Sequence, residues 1–141
     1  TYGYSDSVFD EFKDGGGPGV DYDGNDTVDA PSSSYSVGLQ YVQPLGSVGE
    51  LVASVDYSFR DEFYTNPNNL EANVVGDYDL VNARIGIESS EGAWAVFLWG
   101  KNLADADDVN DQSVSFLGVQ RASYIQPRSY GLTFKYNFGS L

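Results

Sequence analysis

Apolar residues alternate without exception with glycine or polar residues in the segment Tyr130-Gly131-Leu132-Thr133-Phe134-Lys135-Tyr136-Asn137-Phe138. Every second residue is aromatic or aliphatic, and the residues between them are glycine, threonine, lysine or asparagine. Because successive side chains of a β-strand point to opposite faces, this pattern predicts a strand with one apolar face and one polar face. We call this segment the terminal strand.

Three earlier segments repeat the alternation with the same period of two. Their apolar positions are Tyr35, Val37, Leu39 and Tyr41, then Leu51, Ala53, Val55, Tyr57 and Phe59, and finally Val81, Ala83, Ile85 and Ile87. The opposite faces carry ionisable residues such as Asp56, Arg60 and Arg84. An ionised group is costly in a dry core unless it is paired, so the polar face is predicted to be wet.

The predicted fold class is all-β, with about six antiparallel strands. The strands are expected at residues 1–9, 34–43, 50–64, 79–89, 93–102 and 128–138. The segment 93–102 is apolar on both faces, so periodicity does not assign its inward side. Strands of roughly ten residues, tilted in the bilayer, cross an apolar band of about 25 Å.

The connections between these strands differ in length in a regular order. Short turns at 44–49 and 90–92 alternate with long polar segments at 10–33, 65–78 and 103–127. Outer-membrane barrels have short periplasmic turns and long extracellular loops. The pattern therefore predicts part of a large transmembrane β-barrel in the bacterial outer membrane, with a periplasmic C-terminus. The alternative is a soluble sandwich whose core is covered by the same aromatic residues.

Composition excludes several classes of function. The formal net charge is −14, with 7 Lys and Arg against 21 Asp and Glu, so no basic surface for nucleic acid is expected. The sequence contains neither Cys nor His, which rules out disulfides, thiolate ligands, Ser-His-Asp triads and His-dependent zinc sites. Nothing fixes two carboxylates at catalytic spacing. We therefore expect no catalytic residues and no enzymatic activity.

One loop carries a pattern of oxygen ligands. The segment 21–26 offers Asp21, Asp23, Asn25 and Asp26 around a glycine, and hard cations such as Ca²⁺ prefer oxygen ligands from such loops. Read as an EF-hand from Asp21, the sixth position is Asp26 instead of Gly and the twelfth is Ser32 instead of Glu. A solvated acidic loop without a cofactor is the simpler interpretation, and a Ca²⁺ site is the alternative hypothesis.

Three segments resemble the closing strands of TonB-dependent receptors of Gram-negative outer membranes. They are Val81-Asn82-Ala83-Arg84-Ile85-Gly86, the run from Trp94 to Leu103, and the run from Pro127 to Phe138. The resemblance implies a barrel of about 22 strands plugged by an N-terminal domain. It further implies import of a scarce nutrient, such as a siderophore, a vitamin or a glycan, with energy delivered by TonB. The expected partners are the remainder of the barrel, the plug domain, the TonB complex and outer-membrane lipid; the plug and the TonB-contacting segment are absent from this sequence.

The resemblance also assigns roles to particular residues. The terminal strand is similar to the family's insertion signal, with membrane-facing residues Tyr130, Leu132, Phe134, Tyr136 and Phe138. The sequence departs from that pattern at Gly139-Ser140-Leu141, which follow the final aromatic residue. Loop residues expected to contact the substrate are Tyr64, Phe116, Arg121 and Tyr124. Residues Asp56, Arg60, Arg84 and Lys101 are expected on the inner face, as plug contacts or, more simply, as cross-strand ion pairs.

Two other classes of function fit parts of the pattern. One is a soluble, acidic, calcium-binding β-module, and the other is a self-assembling structural β-protein that pairs edge to edge. About six strands are fewer than the minimum of about eight that close a membrane barrel. The isolated chain is therefore not expected to form a heat-modifiable barrel by itself.

Overall fold

The computed structural model describes residues 1–114 and 119–138. Its strands are β1 (Tyr2–Tyr4), β2 (Ser33–Pro44), β3 (Gly49–Arg60), β4 (Phe63–Tyr64), β5 (Val74–Val75), β6 (Tyr78–Ser89), β7 (Trp94–Lys101), β8 (Val109–Val114), β9 (Gln120–Tyr124) and β10 (Ser129–Tyr136). A single turn of 3-10 helix at Glu71–Asn73 precedes β5. No helix within the described residues has both the length and the apolar composition of a transmembrane helix.

Six strands form one antiparallel sheet in the order β1-β2-β3-β6-β7-β10. Two small sheets accompany it, β4 with β5 and β8 with β9, and both are antiparallel. The predicted fold class, all-β with about six antiparallel strands, is confirmed.

The chain divides into two compact units. Unit 1 comprises residues 1–35, 59–78 and 107–126, and it contains both small sheets. Unit 2 comprises residues 36–58, 79–106 and the chain from 127 onward, and it contains β7, β10 and most of the long strands. The described residues include few buried apolar side chains. Unit 1 buries Phe63, Val75 and Ile125, and unit 2 buries Val52 and Ala95.

Several element bounds differ from the expected ones. The segment expected as one strand at 50–64 is two strands, because β3 ends at Arg60 and β4 then pairs with β5. The expected first strand, 1–9, is a strand only at Tyr2–Tyr4. The polar segment 103–127 contains the β8–β9 pair. This pair is held within unit 1 partly by side-chain hydrogen bonds, such as the bond from Gln112 Nε2 to the Val74 carbonyl at 2.8 Å. Such bonds produce no periodic pattern in the sequence.

The register of the sheet assigns the faces of β7. Leu98 lies opposite Leu132 of β10 on one side and opposite Ile85 of β6 on the other. Directly opposed residues of an antiparallel pair share a face, so Leu98 belongs to the apolar face. By the same alternation, Phe97 and Trp99 belong to the polar face.

Candidate functional site

Unit 2 presents an exposed apolar face. Its largest exposed members on β7 and β10 are Leu98, Tyr130, Leu132, Phe134 and Tyr136. Leu132 is 70% exposed and Phe134 is 65% exposed, although both lie in the middle of a hydrogen-bonded strand. Contiguous apolar surface of this kind marks contact with a membrane or with another protein.

The terminal strand carries its aromatic residues in one row along this face. The rings of Phe134 and Tyr136 are stacked with their centroids 6.5 Å apart, and Tyr136 meets Phe138 edge to face at 4.9 Å. Phe138 lies just beyond β10 and is 89% exposed. Pairing continues to Asn137, whose main-chain N–H donates to the Ala93 carbonyl at 2.8 Å. Residues Gly139, Ser140 and Leu141 lie outside the described residues.

The opposite, polar face of unit 2 forms an open concavity of about 500 Å³. Its polar and aromatic lining residues are Gln40, Ser54, Asp56, Asn82, Arg84, Trp99 and Lys101. The two cations contact aromatic rings, with Arg84 5.0 Å from the Phe97 ring centroid and Lys101 5.8 Å from that of Trp99. This surface has the residues to contact a polar partner, and Asp56, Arg84 and Lys101 line it; that it is the inner face of a barrel stays a prediction.

The expected cross-strand ion pairs are not found among the described residues. Within the part of the chain that the structure describes, the ion pairs are Lys13 with Glu11 and Arg128 with Asp105. Arg84 and Lys101 lie over rings instead, since the polar face also carries Phe97 and Trp99. A cation over an aromatic face is attracted by the ring quadrupole, and this attraction replaces the carboxylate partner.

Arg60 lies in unit 1, at the end of β3, in a different environment. Its guanidinium carbon is 4.6 Å from the ring centroid of Phe63 and 4.4 Å from that of Tyr78. Arg60 Nη1 donates to the main-chain carbonyl of Asn110 in β8 at 3.1 Å. Its Nε and Nη2 atoms are buried and have no hydrogen-bond acceptor among the described residues. Sequence reasoning placed Arg60 on the inner face of the sheet and missed this aromatic enclosure.

Three of the residues expected to contact a substrate lie in two elements of unit 1. Tyr64 is half-buried in β4, whereas Arg121 and Tyr124 are exposed on β9. Tyr124 is 68% exposed at the end of that strand. Phe116 lies outside the described residues. Substrate contact by these four residues stays a prediction.

Tyr64 also lines a small cavity of about 120 Å³ in unit 1. The other polar lining residues are Ser5, Asp6, Ser7, Asp26, Ser32 and Glu62. This cavity brings together Tyr64 and Asp26, which the sequence analysis selected for different reasons. Within the described residues, no group of three or more carboxylates is arranged to hold a metal ion.

The candidate calcium ligands make hydrogen bonds within segment 10–33 and to segment 65–78. Asp21 Oδ1 accepts from the main-chain N–H of Asp14 at 2.8 Å, and Asp23 Oδ1 accepts from that of Phe12. Asn25 Nδ2 donates to the Pro67 carbonyl at 2.7 Å, and the main-chain N–H of Asp26 donates to Asn69 Oδ1 at 2.6 Å. These polar groups thus organise the loop backbone, and calcium binding stays a hypothesis.

Comparison with solved structures finds a match to the ferric yersiniabactin uptake receptor FyuA from Yersinia pestis. The TM-score is 0.70 at 17% sequence identity, and the match covers 84% of this chain and 18% of that receptor. No family model matches the sequence, and no curated protein matches it. At this identity the likeness concerns the fold alone. The chain therefore has the fold of a part of that uptake receptor, and it spans less than a fifth of the receptor's length.

Proposed function

We propose that this chain is the C-terminal wall segment of a TonB-dependent outer-membrane receptor that imports a scarce nutrient. The observation that carries the proposal is one antiparallel sheet with an exposed apolar face and a polar face, in a fold that matches part of FyuA. FyuA is an uptake receptor for ferric yersiniabactin. The nutrient of this protein belongs to the class of siderophores, vitamins or glycans.

The apolar face supplies the argument for a membrane. Side chains such as Leu98, Leu132 and Phe134 are exposed. Each Å² of apolar surface left in water costs about 25 cal/mol of free energy. Contact with lipid removes that cost. The alternation of short turns and long segments supports a location in the bacterial outer membrane, with the long segments 10–33, 65–78 and 103–127 outside and the C-terminus in the periplasm.

The partners follow from the edges and the faces of the sheet. In the described chain β10 pairs with β7 on one side, and β1 pairs with β2. Backbone groups in lipid must be paired, so the outer edges of β1 and β10 pair with the remainder of the barrel. The polar concavity faces a plug domain, which passes energy from the TonB complex. The protein is a transporter and not an enzyme.

Single-cysteine labelling tests the topology, because this sequence contains no Cys. Asp108→Cys places a thiol in the long segment 103–127, and Ser47→Cys places one in the short turn 44–49. In whole cells carrying the intact, otherwise cysteine-free protein, a membrane-impermeant maleimide should label only position 108. Position 47 should react after the outer membrane is permeabilised. The reverse pattern contradicts the orientation, and labelled protein in the soluble fraction contradicts the membrane location.

Growth under limitation tests transport. Cells that lack the intact protein are grown with an iron chelate, a vitamin or a glycan as the limiting nutrient in separate cultures. One culture should fail, and it should recover with the intact protein only when TonB is present. Normal growth in every culture, or recovery without TonB, contradicts active transport by this receptor.

The two alternative classes are distinguished by detergent dependence. A soluble calcium-binding module should remain monomeric without detergent, with its apolar face buried. A self-assembling structural protein should pair through its sheet edges, and its assemblies should become larger as the protein concentration rises. No contact among the described residues favours either alternative over transport.

A further inference from the structure

Residues from separate parts of the chain enclose the guanidinium group of Arg60 in unit 1. Phe63 and Tyr78 contact it at 4.6 Å and 4.4 Å from their ring centroids, and Asn110 accepts its one hydrogen bond among the described residues, 3.1 Å from Nη1. The Tyr78 hydroxyl also bonds Asn110 Oδ1 at 3.3 Å. The planar group is thereby fixed in orientation.

The remaining donors of this group have a specific geometry. Nε and Nη2 are buried and without an acceptor in the described chain. On an arginine these two atoms form one side of the guanidinium, and their N–H bonds are parallel. Such a fork matches the two oxygens of a carboxylate or a phosphate group. A buried donor without an acceptor is unfavourable, so an oxyanion at this fork is stabilised by satisfying both donors.

The carboxylates next to Arg60 in the sequence do not supply this oxyanion. Asp61 Oδ2 accepts from the Ser32 hydroxyl at 2.6 Å, and Glu62 lines the small cavity of unit 1. The ion pairs of the described residues lie elsewhere, at Lys13 and Arg128. In a chain with 21 acidic residues, this cation is held by aromatic rings and a carbonyl rather than by a carboxylate.

The strand β8 contacts the guanidinium group of Arg60 at Nη1. Asn110 lies in this strand, and the pair β8–β9 is joined to other described parts of unit 1 by the bonds at Asn110 and by Gln112 Nε2, which donates to the Val74 carbonyl at 2.8 Å. A two-stranded pair is marginally stable alone. Movement of β8 would break its hydrogen bond to Arg60 Nη1.

We infer that Arg60 is the anion-binding group of a covered site in unit 1, which takes a small oxyanion on its Nε–Nη2 fork when β8 moves away. The site is independent of the proposed transport function, because it needs neither the membrane nor the apolar face. Carboxylate and phosphate groups both present a pair of oxygens that fits this fork, so one probe of each class is tested separately.

Calorimetry on the intact purified protein tests the site, with citrate as the carboxylate probe and inorganic phosphate as the second probe. At least one probe should bind saturably to the wild type. Arg60→Lys keeps the charge and removes the fork, so it should weaken that binding at least tenfold. Arg84→Lys is the matched control and should bind as the wild type does. A loss of binding in both variants would locate the anion elsewhere and overturn the inference.

Hydrogen exchange in the wild type gives a second measurement that needs no substitution. The bound anion displaces β8, so amide exchange in Val109–Val114 should become faster at saturating probe. Tyr78→Phe removes one bond to Asn110 and should bind the probe as tightly as the wild type or more tightly. No saturable binding of either probe, or binding without a change in β8, overturns the inference and leaves Arg60 as a structural cation.

Discussion

The indole ring of Trp99 in β7 covers Gly131, its partner in β10. A Cβ atom added at Gly131 would lie 2.2 Å from Cζ2 of that ring. The next pair along the strands is reversed, because Gly100 faces Tyr130, and a Cβ added at Gly100 would lie 3.1 Å from the Tyr130 ring. Consecutive residues point to opposite faces, so one of these reciprocal aromatic–glycine pairs lies on each face. A slip by one residue in one direction would place the Trp99 ring against the Tyr130 ring, and in the other direction against Leu132.

Replacing Gly131 by alanine should lower the free energy of unfolding by about 1–3 kcal/mol, the usual effect of overpacking. Gly76→Ala is the control, since no atom lies within 4 Å of a Cβ at Gly76, and its effect should stay within about 0.5 kcal/mol. Urea unfolding of the intact protein in lipid vesicles measures both variants. Equal effects would show that the Trp99 ring does not confine position 131.

The side chains of Trp99 and Thr133 should be energetically coupled. Trp99 Nε1 donates to Thr133 Oγ1 at 3.1 Å, and such a bond contributes about 1 kcal/mol. A double-mutant cycle with Trp99→Phe and Thr133→Val should give a coupling of about that size. The pair Trp99→Phe and Lys135→Ala is the control and should be additive. Additivity in the first cycle would contradict the hydrogen bond.

A charge on the apolar face should prevent insertion into lipid. Leu132→Lys replaces a side chain that is 70% exposed and should cost about 2–4 kcal/mol near the bilayer centre. Thr133→Lys introduces the same charge on the polar face and should cost much less. Refolding into vesicles measures the difference. Equal tolerance of the two lysines would mean that Leu132 does not face lipid.

Two neighbouring polar residues after β7 should differ in their importance. Asn102 is 3% exposed, has φ of +50°, and exchanges hydrogen bonds with main-chain groups of Ala106 at 2.7 Å and 2.9 Å. Asn102→Ala should cost about 2–3 kcal/mol of unfolding free energy. Asp105 forms an exposed ion pair with Arg128 at 2.8 Å, so Asp105→Asn should cost at most about 1 kcal/mol, and less in high salt. Denaturant midpoints of both variants at two salt concentrations measure these costs. A larger cost for Asp105→Asn than for Asn102→Ala would contradict the prediction.

Calcium should produce no heat of binding in a calorimetric titration of the intact protein. Asp21 and Asp23 accept main-chain hydrogen bonds from Asp14 and Phe12, and no group of three or more carboxylates among the described residues is arranged to hold a metal ion. Asp21→Asn serves as the control, because a signal that disappears in this variant would assign the ion to the loop. A saturable signal of that kind would support the calcium hypothesis.

Alternation was sufficient to predict the long strands, since their two faces differ in chemistry. It also predicted β7 but did not assign the faces of that strand, because Phe97 and Trp99 make its polar face as apolar as the other. These rings lie there because Gly86 and Gly131 on the neighbouring strands leave room for them: a Cβ at Gly86 would approach a ring carbon of Phe97 to 2.4 Å. The glycines were visible in the sequence, but only the register shows which ring each one meets.

The parts of unit 1 were harder to predict for a different reason. Its small sheets are held by bonds between residues far apart in sequence, such as the one from Gln112 to Val74, and these leave no periodic signal. The charge of Arg60 suggested a carboxylate partner, yet the group lies beside Phe63 and Tyr78. Composition predicts that a cation needs a partner, whereas the topology determines which partner is near.

The reciprocal aromatic–glycine pairs have a consequence for how this region can vary between species. Strands joined by a tight hairpin inherit their alignment from the turn, but β7 and β10 are joined by the long segment 102–128. Here the side chains of the two strands determine their register, so the register does not depend on the segment that joins them. Parts of that segment that make no contact with the strands can therefore change in length while the register of β7 and β10 stays constant.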